Sequence, residues 1–65
     1  MRTEAELERD DWERLSVWLS PVHACLEGGT NQDFCEAEVR RIRSRPGREA
    51  EIGSDGKGNI AVFVR

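Results

Sequence analysis

The sequence predicts a small α+β domain in which three helices precede a C-terminal β-hairpin. Apolar side chains recur at helical spacing over roughly the first two-thirds of the chain. The last third alternates polar with apolar residues and ends in a β-branched run. Segments rich in glycine and proline separate the elements. The 65 residues allow one domain, and a chain this short buries only about 60% of its unfolded surface, so we expect one thin core.

Helix 1 is predicted over about residues 4–19. Thr3 and Glu6 have the spacing of a capping box, in which each side chain accepts a hydrogen bond from the other residue's backbone N–H. One broad stripe of this helix is apolar. It consists of Leu7, Trp12, Leu15, Trp18 and Leu19. We therefore expect both tryptophans to lie in the core.

Helices 2 and 3 are predicted over about residues 21–27 and 31–44. Pro21 suits the first position of a new helix, and a glycine pair stops that helix. Thr30 caps helix 3, whose apolar stripe consists of Phe34, Cys35, Val39 and Ile42. The order of elements up to this point is therefore α-α-α.

The C-terminal third reads as a β-hairpin with strands at about residues 48–53 and 59–64. The segment between them is rich in Gly, Asp, Asn and Ser, which are the residues that tight turns favour. An isolated two-stranded hairpin is unstable in water. We therefore expect the hairpin to pack its apolar face on the helices.

Charge is unevenly distributed along the chain, whose net charge is −3. Residues 1–38 hold ten acids and three arginines, whereas residues 39–65 hold seven bases and three acids. The boundary falls inside helix 3, where acids at the start and bases at the end suit the helix dipole. Part of the asymmetry is therefore ordinary helix chemistry, and the acidic run on helix 1 remains as the candidate functional feature.

Two charged clusters are the candidate partner-binding residues. The acidic cluster on helix 1 comprises Glu4, Glu8, Asp10, Asp11 and Glu13, and the basic cluster at the end of helix 3 comprises Arg40, Arg41 and Arg43. A one-sided array of carboxylates imitates the phosphates of a nucleic acid and attracts a basic groove. The alternative is that both clusters are ordinary solvated surfaces.

Nothing in the sequence matches a catalytic motif, so we expect a protein that is not an enzyme and needs no cofactor or metal. His23, Cys25 and Cys35 do not have the spacing of a familiar zinc site. We expect both cysteines to be reduced and buried. The alternative is a disulfide between them, because both lie five residues from Thr30 in the turn between helices 2 and 3.

In small size, acidic balance and lack of catalytic motifs, the chain resembles the phage-encoded inhibitors called anti-CRISPR proteins. The resemblance involves no diagnostic motif, so it assigns a role to no individual residue. It implies an inhibitor in the host cytoplasm that occludes a basic nucleic-acid-binding surface of a CRISPR effector complex. We expect such a partner to be a larger protein or nucleoprotein complex, with no role for a membrane, and the chain itself to be a monomer or homodimer.

Two alternatives stay open. The first is a winged-helix DNA-binding protein, in which Asn31 and Gln32 begin the recognition helix and Lys57 lies at the tip of the hairpin. The net negative charge argues against this alternative and against direct nucleic-acid binding in general. The second is a dimeric antitoxin-like module, which exposed Ala61 and Phe63 on an edge strand would support.

Overall fold

A computed structural model describes residues 1–24, 26 and 28–65 of the chain. The described residues form two helices and one three-stranded antiparallel sheet, which confirms the predicted α+β class. In chain order the elements are α1 (Glu4–Arg9), β1 (Glu13–Arg14), α2 (Asn31–Arg43), β2 (Ala50–Ser54) and β3 (Ile60–Val64). No helix among these residues is long and apolar enough to cross a membrane.

The last strand of the chain, β3, is the centre of the sheet, whose order is β1-β3-β2. On one side β2 pairs with β3 along its whole length, from Ala50 opposite Val64 to Ser54 opposite Ile60. On the other side β1 pairs with the C-terminal end of β3. The backbone groups of β3 are thus satisfied from both sides, as a buried strand requires.

The core is divided between the two faces of the sheet. Side chains alternate between the faces of a strand, and all five residues of β3 are buried. One face packs against α2; its buried residues are Cys35, Val39, Ile42, Ala50, Ile60, Val62 and Val64. The other face packs against α1 and the segment that follows it; its buried residues are Leu7, Trp12, Ala61 and Phe63. The sheet is therefore the middle of three layers.

The prediction of one helix over residues 4–19 is wrong, because α1 ends at Arg9. The backbone N–H of Asp11 donates to the carbonyl of Glu8 at 3.2 Å, and the N–H of Trp12 donates to that of Leu7 at 3.0 Å. These two bonds form a Schellman motif, which ends a helix with a residue of left-handed backbone. Asp11 supplies that conformation, with φ of 65°.

After this motif the chain runs extended along β3 instead of continuing as a helix. The N–H of Leu15 donates to the carbonyl of Val62 at 2.7 Å. Leu19 and Ile60 exchange two backbone hydrogen bonds of 2.8 Å. Trp18 is half-buried and packs against Phe63. The need of β3 for partners on its second side explains why an extended segment replaces the predicted helix.

The described residues of the predicted helix 2 are turns, a bend and an isolated bridge, so the prediction of a helix over 21–27 is wrong for them. Cys25 and Glu27 lie outside the described residues. The carbonyls of Pro21 and His23 accept hydrogen bonds from the backbone N–H groups of Gln32 and Asn31, at 3.1 and 2.8 Å. These carbonyls satisfy N–H groups in the first turn of α2 that have no partner within the helix.

The prediction of a third helix near residues 31–44 is confirmed by α2, and so is its cap. The hydroxyl of Thr30 accepts from the N–H of Asp33 at 3.2 Å, and the carboxylate of Asp33 accepts from the N–H of Thr30 at 3.0 Å. The hairpin is confirmed by β2 and β3. Its strands begin and end within two residues of the predicted 48–53 and 59–64.

Candidate functional site

The structure divides the predicted acidic cluster into paired and unpaired carboxylates. Glu4 is half-buried and lies 3.7 Å from the guanidinium of Arg14 on β1. Asp10 accepts a hydrogen bond of 2.7 Å from Arg2, which also donates to Glu51 at 2.9 Å. The hydrogen bond to Glu51 raises the pKa of the Arg2 guanidinium. Two of the five predicted carboxylates are therefore neutralised within the chain.

The other three predicted carboxylates, on Glu8, Asp11 and Glu13, are exposed. Within the described part of the chain these three side chains make no ion pair or hydrogen bond. Glu6 is also exposed and has no cationic partner there, although it accepts a hydrogen bond from the Thr3 hydroxyl. We call these four carboxylates, Glu6, Glu8, Asp11 and Glu13, the acidic surface. Its members are not all on one face of the sheet. Glu13 pairs with Val64 on the face that packs against α2, whereas Glu6 and Glu8 belong to α1 on the other face.

Two buried side chains fix the backbone that carries the acidic surface. Leu7 is fully buried, and Trp12 is 6% exposed. Both belong to the core cluster on the α1 side of the sheet. The helix and turn that carry these carboxylates are therefore anchored to the core, while the carboxylates themselves are exposed.

The structure brings two of the three predicted arginines together, since Arg40 and Arg43 line one shallow pocket on α2, and pairs the third with an acid. Arg41 donates to Glu38 at 2.7 Å, and this pair lowers the pKa of the Glu38 carboxyl. Arg43 donates through Nε to the carbonyl of Ala50 at 2.8 Å. Arg40 is exposed and makes no ion pair with another described residue. Of the three predicted arginines, Arg40 and Arg43 therefore make no ion pair with a described residue.

A second site, which the sequence did not predict, is a shallow cleft of about 370 Å³ lined by four arginines. We call it the arginine cleft; its arginines are Arg2, Arg43, Arg48 and Arg65. Trp12 also lines the cleft, with the guanidinium carbons of Arg65 and Arg2 at 4.7 and 5.5 Å from its ring centroid. These side chains come from both ends of the chain and from its middle. No local sequence motif therefore predicts the site.

The described residues do not have the structural features on which the two alternative functions depend. Because the described part of residues 21–27 is not helical, these residues do not form the first helix of a helix-turn-helix. Asn31 is engaged as well, since its side chain donates to the carbonyl of Ser20 at 2.8 Å. Ala61 and Phe63 are fully buried on a central strand, so the exposed apolar edge expected for a dimeric module is absent from β3.

Among the described residues, no group of three or more His, Cys, Asp or Glu side chains could hold a metal ion. Cys35 is a free thiol and fully buried, as predicted. Burial raises the pKa of the Cys35 thiol, and the nearby Glu38 and Glu36 raise it further. His23 is exposed. The predictions for Cys25, as a buried thiol or a disulfide partner, fall outside the described residues.

No family model, no curated protein and no solved structure matches this chain.

Proposed function

We propose that this chain is a non-enzymatic inhibitor that binds a basic nucleic-acid-binding surface of a larger protein or nucleoprotein complex. The acidic surface is the contact. The observation that supports the proposal is that Glu8, Asp11 and Glu13 are exposed and have no cationic partner among the described residues. A CRISPR effector complex is the partner class to which the resemblance points.

The lack of an ion pair with a described residue suits these carboxylates to binding a partner, because they contribute no such pair to the stability of the fold. A paired surface carboxylate such as Asp10 already has its counter-ion, and a partner must displace that ion before it gains anything. An unpaired carboxylate loses no such interaction when it meets an arginine or lysine of the partner. Complementary potentials also steer the encounter and raise the association rate.

These carboxylates also follow one another along the backbone, as the phosphates of a nucleic acid do. The unpaired carboxylates are spaced along a helix, a turn and a strand, so they present several negative charges on different backbone positions. A groove that binds phosphates through lysine and arginine makes the same kind of contact. Arg40 is the secondary contact of the proposal, because it is exposed and unpaired in the described structure.

The experiment is a competition measurement with purified CRISPR effector complexes of several types and a labelled target duplex. We expect the wild-type chain to reduce DNA binding by at least one complex in a saturable manner. Free polyglutamate of the same total charge is the control for bulk electrostatics. If no complex loses DNA binding, or if polyglutamate inhibits equally well, the proposed function is wrong.

A further inference from the structure

We infer that the arginine cleft is a binding site for a small molecule that bears a phosphate or pyrophosphate group. This inference is independent of the proposed function, since it involves a different surface. Its basis is the convergence of Arg2, Arg43, Arg48 and Arg65 on one cleft of about 370 Å³. A guanidinium presents a planar fork of N–H donors that fits the oxygens of such an anion.

Two of the four arginines are held in place by acidic neighbours. Arg2 donates to Glu51, and Arg65 donates through Nε to Glu49 at 3.0 Å. Arg65 also donates through Nη1 to the carbonyl of Asp10 at 2.9 Å. These contacts fix the walls of the cleft. They leave its other two arginines without a counter-ion.

Arg43 and Arg48 are the cations available to a ligand. The hydrogen bond from Arg43 Nε to the Ala50 carbonyl orients the guanidinium. No described residue accepts from its two remaining nitrogens. The side chain of Arg48 is exposed and has no partner in the described structure. Two unpaired guanidiniums that line one cleft repel each other, and a multiply charged oxyanion between them relieves that repulsion.

The charge of the cleft favours an anion that carries more than one negative charge. Its lining holds four arginines against Glu49 and Glu51, so a ligand with a single negative charge leaves it positive. Trp12 lies against the same cleft, and its indole N–H is buried with no acceptor in the described part of the chain. Because that N–H is buried, it does not itself contact a ligand, but Arg2 and Arg65 lie over the same indole ring, so its resonance reports on changes in the cleft.

The test is a titration of the full-length, ¹⁵N-labelled protein with sodium pyrophosphate, followed by NMR at constant ionic strength. We expect saturable shifts of the Arg43 Nε–H and Trp12 Nε1–H resonances, while Trp18 Nε1–H stays unchanged as the internal control. Adenosine diphosphate in a parallel titration distinguishes a nucleotide from the free anion. Binding of either one supports the inference.

Arg48→Gln tests the site by mutation, because this side chain has no partner whose loss would disturb the fold. We expect it to weaken pyrophosphate binding by at least about tenfold, as loss of a charge-assisted hydrogen bond does. Arg45→Gln is the matched control outside the cleft, with the same change in charge, and should bind as the wild type does. The inference is overturned if pyrophosphate and adenosine diphosphate both fail to bind, or if the two variants lose affinity equally.

Discussion

The backbone N–H of Trp12 donates to the carbonyl of Leu7 at 3.0 Å, and the two side chains pack in the same buried cluster. This hydrogen bond, together with that from Asp11 to Glu8, forms the Schellman motif that ends α1, and the apolar contact accompanies it. They turn the chain through Asp11 so that Glu13 and Arg14 reach the edge of β3. This relationship therefore sets where Asp11 and Glu13 lie relative to α1.

The left-handed backbone at Asp11 predicts how substitutions there affect stability. Asp11→Ala and Asp11→Gly remove the same charge, but only glycine adopts positive φ without a steric cost. We expect the alanine variant to be less stable than the glycine variant by about 1 kcal/mol, measured by urea denaturation. Equal stabilities would contradict the assignment of this turn.

Gly53 on β2 leaves no room in the core for a larger side chain. A Cβ atom at this position would lie 2.6 Å from Cε1 of Phe63 and would overlap Cδ1 of Leu7. Both of these side chains are fully buried and cannot move aside freely. We expect Gly53→Ala to reduce the free energy of unfolding by about 1–3 kcal/mol, as overpacking of a core does.

A double-mutant cycle isolates the contact at Gly53. Leu7→Ala removes the atom that the added methyl group overlaps, so the alanine at 53 should cost less in that background. Additive effects of the two substitutions would show that the overlap with Leu7 is not the cause.

The hairpin turn predicts a dependence of stability on pH. The carboxylate of Asp55 accepts from the side chain of Asn59 at 2.8 Å and from the backbone N–H of Lys57 at 2.7 Å. The bond from the Asn59 side chain, followed by those from the backbone, lowers the pKa of Asp55 in the folded protein. The resulting stabilisation is present above the ordinary value of 3.8 and is lost as the pH falls through the lowered pKa.

The free energy of unfolding, measured by denaturation at neutral pH and again below pH 3.8, reports this effect. Asp55→Asn, which cannot ionise, should lose less stability on acidification than the wild type does. Asn59→Ala should also lose less stability on acidification than the wild type does, because it removes the main cause of the lowered pKa of Asp55. Identical losses in all three proteins would contradict the role of the turn.

The buried thiol of Cys35 predicts slow chemical modification. Cys25→Ser leaves Cys35 as the single cysteine, and a thiol-specific reagent then reports on it alone. Burial and a raised pKa both keep the reactive thiolate scarce below alkaline pH. We expect the folded protein to react on the order of a hundredfold more slowly than the denatured protein, since reaction requires opening of the core. Comparable rates would show that the thiol is accessible.

The sequence predicted the elements that local chemistry determines. Thr30 and Asp33 form a capping box, and the Gly-rich turn with its β-branched run specifies the hairpin. The first third was mispredicted because Leu15, Trp18 and Leu19 suit one side of a helix as well as a strand that covers a sheet. The signal that ends α1 was also weak, since Asp11 stands where glycine is usual.

The candidate sites depend on contacts between distant parts of the chain. The pairing of Glu4 with Arg14 follows from the turn at Asp11. That of Asp10 with Arg2 depends on the hydrogen bond that holds the Arg2 backbone to β2, and neither pair is visible in the charge pattern. The arginine cleft brings together residues from both termini and from α2, so only the folded chain reveals it. By contrast, Glu8 and Glu13, which the charge pattern assigns to the acidic cluster, are exposed and have no ion pair among the described residues.

The measurement that tests the central claim most directly compares two charge-reversed variants in the DNA competition assay with an effector complex that the wild type inhibits. Glu8→Lys with Glu13→Lys alters the acidic surface and spares the left-handed turn at Asp11. Glu36→Lys with Glu38→Lys makes the same change in net charge on α2; it also removes the surface ion pair of Glu38 with Arg41, a loss of at most about 1 kcal/mol. Circular dichroism of both variants should match the wild type.

We predict that the Glu8/Glu13 variant inhibits about a hundredfold less well than the wild type, because each reversal replaces an attraction with a repulsion at the interface. The Glu36/Glu38 variant should inhibit as the wild type does, since it leaves the acidic surface intact. If the Glu8/Glu13 variant inhibits as well as the wild type, or if the two variants lose the same amount, the acidic surface does not bind the partner.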